Sequence, residues 1–383
     1  MYSKGERKKR RIEYSLYIAC LLSNMSQLPY FVRNGYTQLL AFPGWIMVLS
    51  AIVLSRRLLF KSSVLLPIGL STLLLCWLLI DSLLISRNQF SSSMVYAYFI
   101  SIFVFLVGVG AAENVDDITI NKMTFVFLIS TLVVSISIFI QYFGIDYNLA
   151  TKIYAYGSKN SISQIIFTAF VLLIVRFQPV KLIWKVLKLI AIVFLLYVIL
   201  LLRSRATLVS LILVIIVIVF SKNQNNRVRV VIALSGVVGI FLILTNSSFN
   251  NFIFNNVLFA GRNASNLNEL SSGRVYMINS FPEMISGNWF TGIGPTYFEC
   301  FPLSAILQFG LPGGILIILI SLQPLLVSFS RRNRSLNWNL LFLISLGYVV
   351  NGLFEGLTPL GPGVKCYYMW LLYGMLINRK NVT

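Results

Sequence analysis

Two arginines stand in the apolar run VILLLRSRATLVSLIL with a single serine between them. Arg203 and Arg205 repel each other at that spacing, and an anionic partner relieves the repulsion. Arginine's planar fork pairs bidentately with phosphate, so the chemistry they suggest is anion binding, with snorkelling or a tight helical-hairpin turn as the alternative. A third arginine, Arg274, follows Ser272-Gly273 in SSGRVYMINSFPEMISGNWFTGIGPTYFE (271–299), where it opens a short predicted helix. Gly292-Ile293-Gly294-Pro295 then predicts a tight turn. A lone G-x-G does not signal a nucleotide, and nothing Rossmann-like surrounds it. The segment YAYGSKNSISQIIF (154–167) brings Tyr154, Lys159, Asn160 and Ser161 to the start of a helix, with Ser158 or Asn160 as N-cap. A helix N-terminus bearing a lysine, amides and hydroxyls suits an anion or a sugar. Glu299 and Glu355 are the carboxylates that can take a proton as general base, or else sit in a salt bridge. Asp81 is a further acid in an apolar stretch, where packing and function are both open to it.

The elements that must position these residues are set by composition. The chain has 383 residues, 57% apolar and 11% charged, against roughly 25% charged in soluble domains, and its mean hydropathy is +0.83. An ordinary soluble domain, a disordered chain and a disulfide scaffold are excluded. Histidine is absent, which excludes catalysis or metal binding by imidazole. The net charge of +20 fits cationic loops that hold topology and meet anionic lipid, not nucleic acid. Cys20, Cys76, Cys300 and Cys366 have no metal-ligand spacing and read as packing residues, with a Cys300–Cys366 bridge as the alternative. No metal-binding cluster is visible, so metal independence is expected, without a cofactor.

A bilayer-crossing helix needs about 20 mainly apolar residues. Spans are predicted at 14–32, 36–54, 64–85, 93–112, 122–143, 160–178, 182–202, 204–221, 229–246, 301–329, 337–354 and 365–378. The fold class expected is therefore all-α: one polytopic membrane domain over 1–383, with about twelve transmembrane helices and a large extracytoplasmic loop at 247–300. The run 182–221 is divided at Arg203-Ser204-Arg205 because charge is expensive in mid-bilayer. Asn24, Gln27 and Pro29 in the first apolar stretch argue against a cleaved signal peptide. The basic N-terminal tail (Lys4, Arg7, Lys8, Lys9, Arg10, Arg11) is read as cytoplasmic, and most other cations alternate onto the same side. The loop 113–122 dissents, with Glu113, Asp116 and Asp117 against one lysine. The outer side keeps Arg33, Arg87, Lys152, Lys159, Arg203, Arg205, Arg262, Arg274 and Lys365. Its long loop is rich in Asn, Ser and Gly with interspersed aromatics, a composition that suits sugars or a solvated linker.

Taken in order, GSKNSISQ, LLRSRATL, SGRVYMINSF, GIGPTYF, ILQFGLPGG and NGLFEG resemble the O-antigen polymerase (Wzy) and O-antigen ligase superfamily, which includes capsule and exopolysaccharide repeat-unit polymerases. The resemblance covers about 150–360 and implies a glycosyltransferase C-like membrane fold. It implies an undecaprenyl-diphosphate-linked oligosaccharide as substrate, on the outer face of a bacterial plasma (inner) membrane crossed many times, with both termini cytoplasmic. It also implies membrane lipids, a flippase and a chain-length regulator as partners. Arg203, Arg205 and Arg274 match the arginines thought to hold the diphosphate, with Glu299 and Glu355 beside them as catalytic candidates. Tyr154, Lys159, Asn160, Ser161, Gly292 and Gly294 are the substrate-binding candidates. Many ligases carry a histidine shortly after the G-x-G segment. This chain reads YFECFPLSAILQ there, which favours a repeat-unit polymerase over a ligase acting on lipid, protein or wall. A flippase or transporter is the second alternative, although no internal repeat relates 1–190 to 191–383.

Overall fold

The computed structural model describes residues 4–55, 60–81, 83, 92–142, 159–221, 229–230, 234, 236–237, 239, 241, 244–251, 253–254, 266–271, 273–361 and 365–379. All regular structure among them is helical. The main elements are α1 Lys4–Met25, α2 Pro29–Arg33, α3 Thr37–Ser55, α4 Leu65–Ile80, α5 Ser92–Ala111, α6 Asp117–Tyr142, α7 Lys159–Val175, α8 Leu182–Leu201, α9 Arg205–Phe220, α10 Arg274–Ile285, α11 Phe301–Arg331, α12 Leu336–Gly352 and α13 Tyr367–Asn378. Five described helical stretches are long and apolar enough to cross a membrane, at Thr37–Ser55, Ser62–Ile80, Asp117–Tyr142, Leu182–Leu201 and Phe301–Arg331. Shorter apolar helices lie at Tyr98–Asn114, Lys159–Val175, Arg205–Phe220 and Leu336–Gly352. Large side chains such as Leu182, Ile183 and Leu189 are exposed along α8, the surface of a helix that faces lipid.

Several predicted spans change shape. The stretch 14–32 is not one helix: α1 begins back in the basic tail at Lys4 and ends at Met25, and Pro29 starts the short α2. The span placed at 122–143 starts earlier, at Asp117. The segment 365–378 contributes a helix of 12 residues, about 18 Å long and buried along its whole length. Gly108 and Gly374 let α5 and α13 touch: a Cβ on Gly108 would lie 2.4 Å from the Leu371 carbonyl oxygen, and one on Gly374 2.2 Å from that of Phe105. Small residues are what allow helix backbones this close. Phe105 stacks on Tyr373 with ring centroids 5.2 Å apart. Asn24, noted in sequence only as a polar interruption, is a buried hub. Its amide donates to Phe127 O (3.1 Å), Ser130 Oγ (2.8 Å) and Thr131 Oγ1 (3.0 Å), while Tyr367 donates to its Oδ1 at 3.0 Å.

The acidic loop that dissented from the charge bias is explained by its partners. Lys9 Nζ lies 2.9 Å from Asp116 Oδ2. Asp117 Oδ1 receives Arg379 NH1 at 2.8 Å and Asn337 Nδ2 at 2.8 Å. Arg176 donates to Asn121 Oδ1 at 2.7 Å and also reaches Asn337. The Lys61 backbone N–H donates to Asn378 Oδ1 at 3.0 Å. The start of α1, α6 and α12 and the end of α7 and α13 thus share one end of the bundle. Their cations, assigned to one side by charge counting, converge on the acids that seemed out of place.

Candidate active site

At the opposite end, α8 runs out at Leu201 and Arg203 turns the chain with a left-handed backbone, φ 50°. Such a φ is uncommon outside glycine, and here it follows from reversing a very apolar chain within the few residues that carry charge. Ser204 then leads into α9, its hydroxyl 2.9 Å from Thr207 Oγ1. Arg203 and Arg205 are half-buried. The division of 182–221 at these residues agrees with the sequence reading.

A chain of buried polar side chains leads away from this turn. Asn351, near the end of α12, donates to Thr207 Oγ1 at 3.2 Å. Gln164, one turn into α7, donates to Asn351 Oδ1 at 2.8 Å and to Thr358 Oγ1 at 2.8 Å. All four are buried. Sequence reasoning missed Gln164, Thr207, Asn351 and Thr358 as site-forming residues. The available signal was that Gln164 closes GSKNSISQ and Asn351 opens NGLFEG, so two motif-like segments meet by their end residues.

One turn nearer the surface, the start of α7 brings Asn160 to Glu355 in the loop after α12. The Asn160 amide donates to Glu355 Oε1. Asn160 is therefore no N-cap: α7 already begins at Lys159, and the side chain reaches across to the 353–361 loop. Glu355 is held above the usual carboxylate range, at about 6. Burial is the largest cause and the charge of Glu299 adds to it, against the pull of Lys365, Arg274 and Lys159. Tyr297 borders the same group. Burial, with the negative charges of Glu355 and Glu299, pushes its phenol up to about 12.

Arg274 comes to this cluster from the long loop. Gly273 precedes it with φ 83°, a conformation glycine adopts without strain, and α10 begins at the arginine. Its NH2 lies 2.7 Å from Glu299 Oε2 and donates to the Phe354 carbonyl at 3.1 Å, while NH1 donates to Ser271 O at 3.1 Å. The expected short helix delivering Arg274 is found.

The Gly292–Pro295 turn is built against a break in α11. Gly310 departs from helical geometry at φ 68°, ψ 178°, so the span placed at 301–329 is two helical pieces. Leu311 N–H donates to Trp289 O at 2.8 Å and Ile293 N–H to Leu307 O at 2.8 Å. A Cβ on Gly292 would sit 2.6 Å from the Gln308 carbonyl, and one on Gly310 1.9 Å from the Phe290 oxygen. Gly292 is thus a backbone contact, whereas Gly294 (φ 81°) faces open space. The Phe309 carbonyl at the break accepts from Trp77 Nε1 at 3.2 Å.

Of the remaining candidates, Ser161 is buried and Lys159 half-buried in the first turn of α7. Tyr154 lies outside the described residues, as do Ser158, Ser272, Arg87, Lys152 and Arg262. Asp81 sits at the end of α4. The four cysteines are free thiols, so Cys300 and Cys366 are not bridged.

The fold and site define a multi-pass helical membrane protein with Arg274, Glu299 and Glu355 brought together at one end. Residues 190–318 match the family model described as O-Antigen ligase, and this match supports the O-antigen ligase/polymerase superfamily and a membrane glycosyltransferase-like enzyme in general. The matched stretch holds Arg203, Arg205, Arg274, Gly292, Gly294 and Glu299. No curated protein matches the chain.

Proposed function

We propose that the chain is a polysaccharide polymerase joining undecaprenyl-diphosphate-linked oligosaccharide repeat units at the outer face of a bacterial plasma membrane. The observation that carries the reading is the meeting of Arg274, Glu299, Glu355 and Asn160 at the bundle end linked to the Arg203–Arg205 turn. An acceptor hydroxyl attacks the anomeric carbon of the donor sugar, and the carrier diphosphate leaves. Charge grows on the bridging oxygen as that bond breaks. Arg203, Arg205 and Arg274 stabilise it more in the transition state than in the ground state, which is what accelerates the step. One of the two carboxylates takes the acceptor proton, and direct displacement inverts the anomeric centre. The arginines supply the positive charge the diphosphate needs, so the reaction proceeds without a divalent metal.

Lys159, Asn160, Ser161, Gly292 and Gly294 border the sugar-binding side in this reading, and Tyr154, outside the described residues, joins them on its sequence alone. The bundle crosses the membrane about twelve times as one domain over 1–383, with 247–300 outside and both termini cytoplasmic. The pairing of Lys9 and Arg379 with Asp116 and Asp117 at one end supports that parity. A flippase and a chain-length regulator are the partners it would work beside. The absence of histidine supports a polymerase, while the description of the matched family as O-Antigen ligase keeps transfer of finished glycan as the second reading. Deletion followed by gel analysis of the glycan separates them. Loss of a polymerase leaves single repeat units; loss of a ligase leaves long chains on the carrier lipid.

A further inference from the structure

We propose that the two carboxylates divide the work: Glu355, positioned by Asn160, accepts the proton of the acceptor hydroxyl, and Glu299 positions Arg274 against the diphosphate. This rests on the glycan-transfer reading above and deepens it.

The geometry separates the two groups. Glu299 lies 2.7 Å from the Arg274 guanidinium. A carboxylate so paired must break a charge-assisted contact to take a proton, which leaves an unpaired charge behind. Its pairing instead fixes the fork, which is further anchored by the carbonyls of Ser271 and Phe354. Glu355 receives a neutral amide, from Asn160. An amide orients a carboxylate and stabilises its charge without neutralising it, so the group stays available as a base. Phe354 immediately precedes Glu355, so the residue that holds the leaving group is tied to the backbone beside the base.

Among the described residues, the groups that face Glu355 are Lys159 and Asn160 from α7, Arg274 from α10, Glu299 and Tyr297 from the loop before α11, and Lys365 before α13. Burial outweighs the three cations and holds Glu355 at about 6, ionised at neutral pH and still basic, as a general base should be. In the step itself the acceptor oxygen bonds to the anomeric carbon as its O–H electrons are released. The proton passes to Glu355. The anomeric C–O bond breaks with its electron pair going to the diphosphate oxygen, beside Arg274. Glu355 then returns its proton to water.

The test uses the full chain in lipid nanodiscs. The probe is the lipid-linked oligosaccharide extracted from the deletion strain, with undecaprenyl diphosphate as inhibitor. Glu355→Gln is expected to lower kcat by about 10²- to 10⁴-fold with KM little changed. Glu299→Gln is expected to raise KM for the probe and the inhibition constant of undecaprenyl diphosphate together, with the acid limb kept but moved to lower pH, because the Glu299 charge helps hold Glu355 up. Asn160→Ala removes a donor to the charged form, so the acid limb of kcat/KM, expected near pH 6 in wild type from the free enzyme's Glu355, moves to higher pH. Should Glu355→Gln not elute as a single species, the acid limbs of Glu355→Asp and Asn160→Ala decide the same question. Turnover by wild type with Glu355→Gln equally active, or with the acid limb lost in Glu299→Gln and kept in Glu355→Asp and Asn160→Ala, overturns the division while leaving glycan transfer intact. Absence of turnover by wild type overturns both.

Discussion

Gln164 donates its side-chain amide to Asn351 Oδ1 across 2.8 Å, joining two helices whose residues are 187 positions apart in the chain. Through Thr207 and Thr358 the same pair links the start of α9, just after Arg203 and Arg205, to the loop carrying Glu355. The arginine turn and the carboxylate loop therefore share one support, and a change in the support should be felt at both.

Asn351→Ala is the direct probe of that support. It strips Gln164 of one acceptor and Thr207 of one partner, and a buried polar group left unpaired costs about 1–3 kcal/mol. The variant should unfold at lower temperature in detergent and lose activity beyond what its stability explains. An unchanged melting temperature would show that the network contributes nothing.

The glycine at the break in α11 and a glycine of the outer loop should behave differently. Gly310→Ala puts a Cβ 1.9 Å from the Phe290 carbonyl oxygen at a positive φ, whereas Gly294→Ala meets only open space. The first should fail to accumulate in membranes. The second should accumulate normally, with only the strain of an unfavourable φ, of order 1 kcal/mol. Equal accumulation of both, measured by membrane immunoblot, would contradict the packing described for the broken helix.

Topology is open to labelling. In a cysteine-free background, Arg7→Cys and Arg334→Cys lie at the end held by Lys9, Asp116, Asp117 and Asn337, while the exposed Tyr276→Cys lies on α10. A membrane-impermeant maleimide added to intact cells should modify the third and spare the first two. Modification of Arg7→Cys or Arg334→Cys would reverse or break the proposed orientation.

The arginine turn was legible in sequence because two cations in an apolar run fit only where the chain reverses. The start of α10 was legible because Gly273 can adopt the backbone that Arg274 needs before it. The rest depends on pairing across the fold. Asn160 looks like a helix cap, a local role that its residue type predicts, and only the approach of the 353–361 loop gives it Glu355 instead. The break at Gly310 hides because both sides remain apolar: hydropathy records compatibility with lipid, not φ. Hydropathy likewise does not show that protein, and not lipid, surrounds Tyr367–Asn378. Gln164 and Asn351 carry no individual signal, since a single amide in an apolar helix says nothing of which helix answers it.

The central claim is that Arg203, Arg205 and Arg274 hold a carrier diphosphate while a sugar is transferred from it. Its most direct measurement is glycan length after purified protein meets lipid-linked repeat units extracted from the deletion strain. Wild type should yield a ladder of joined units. Each Arg→Ala variant should yield none at normal protein levels, and each Arg→Lys variant should recover partially, because lysine brings the charge without the fork. A full ladder from all three alanine variants would contradict the account.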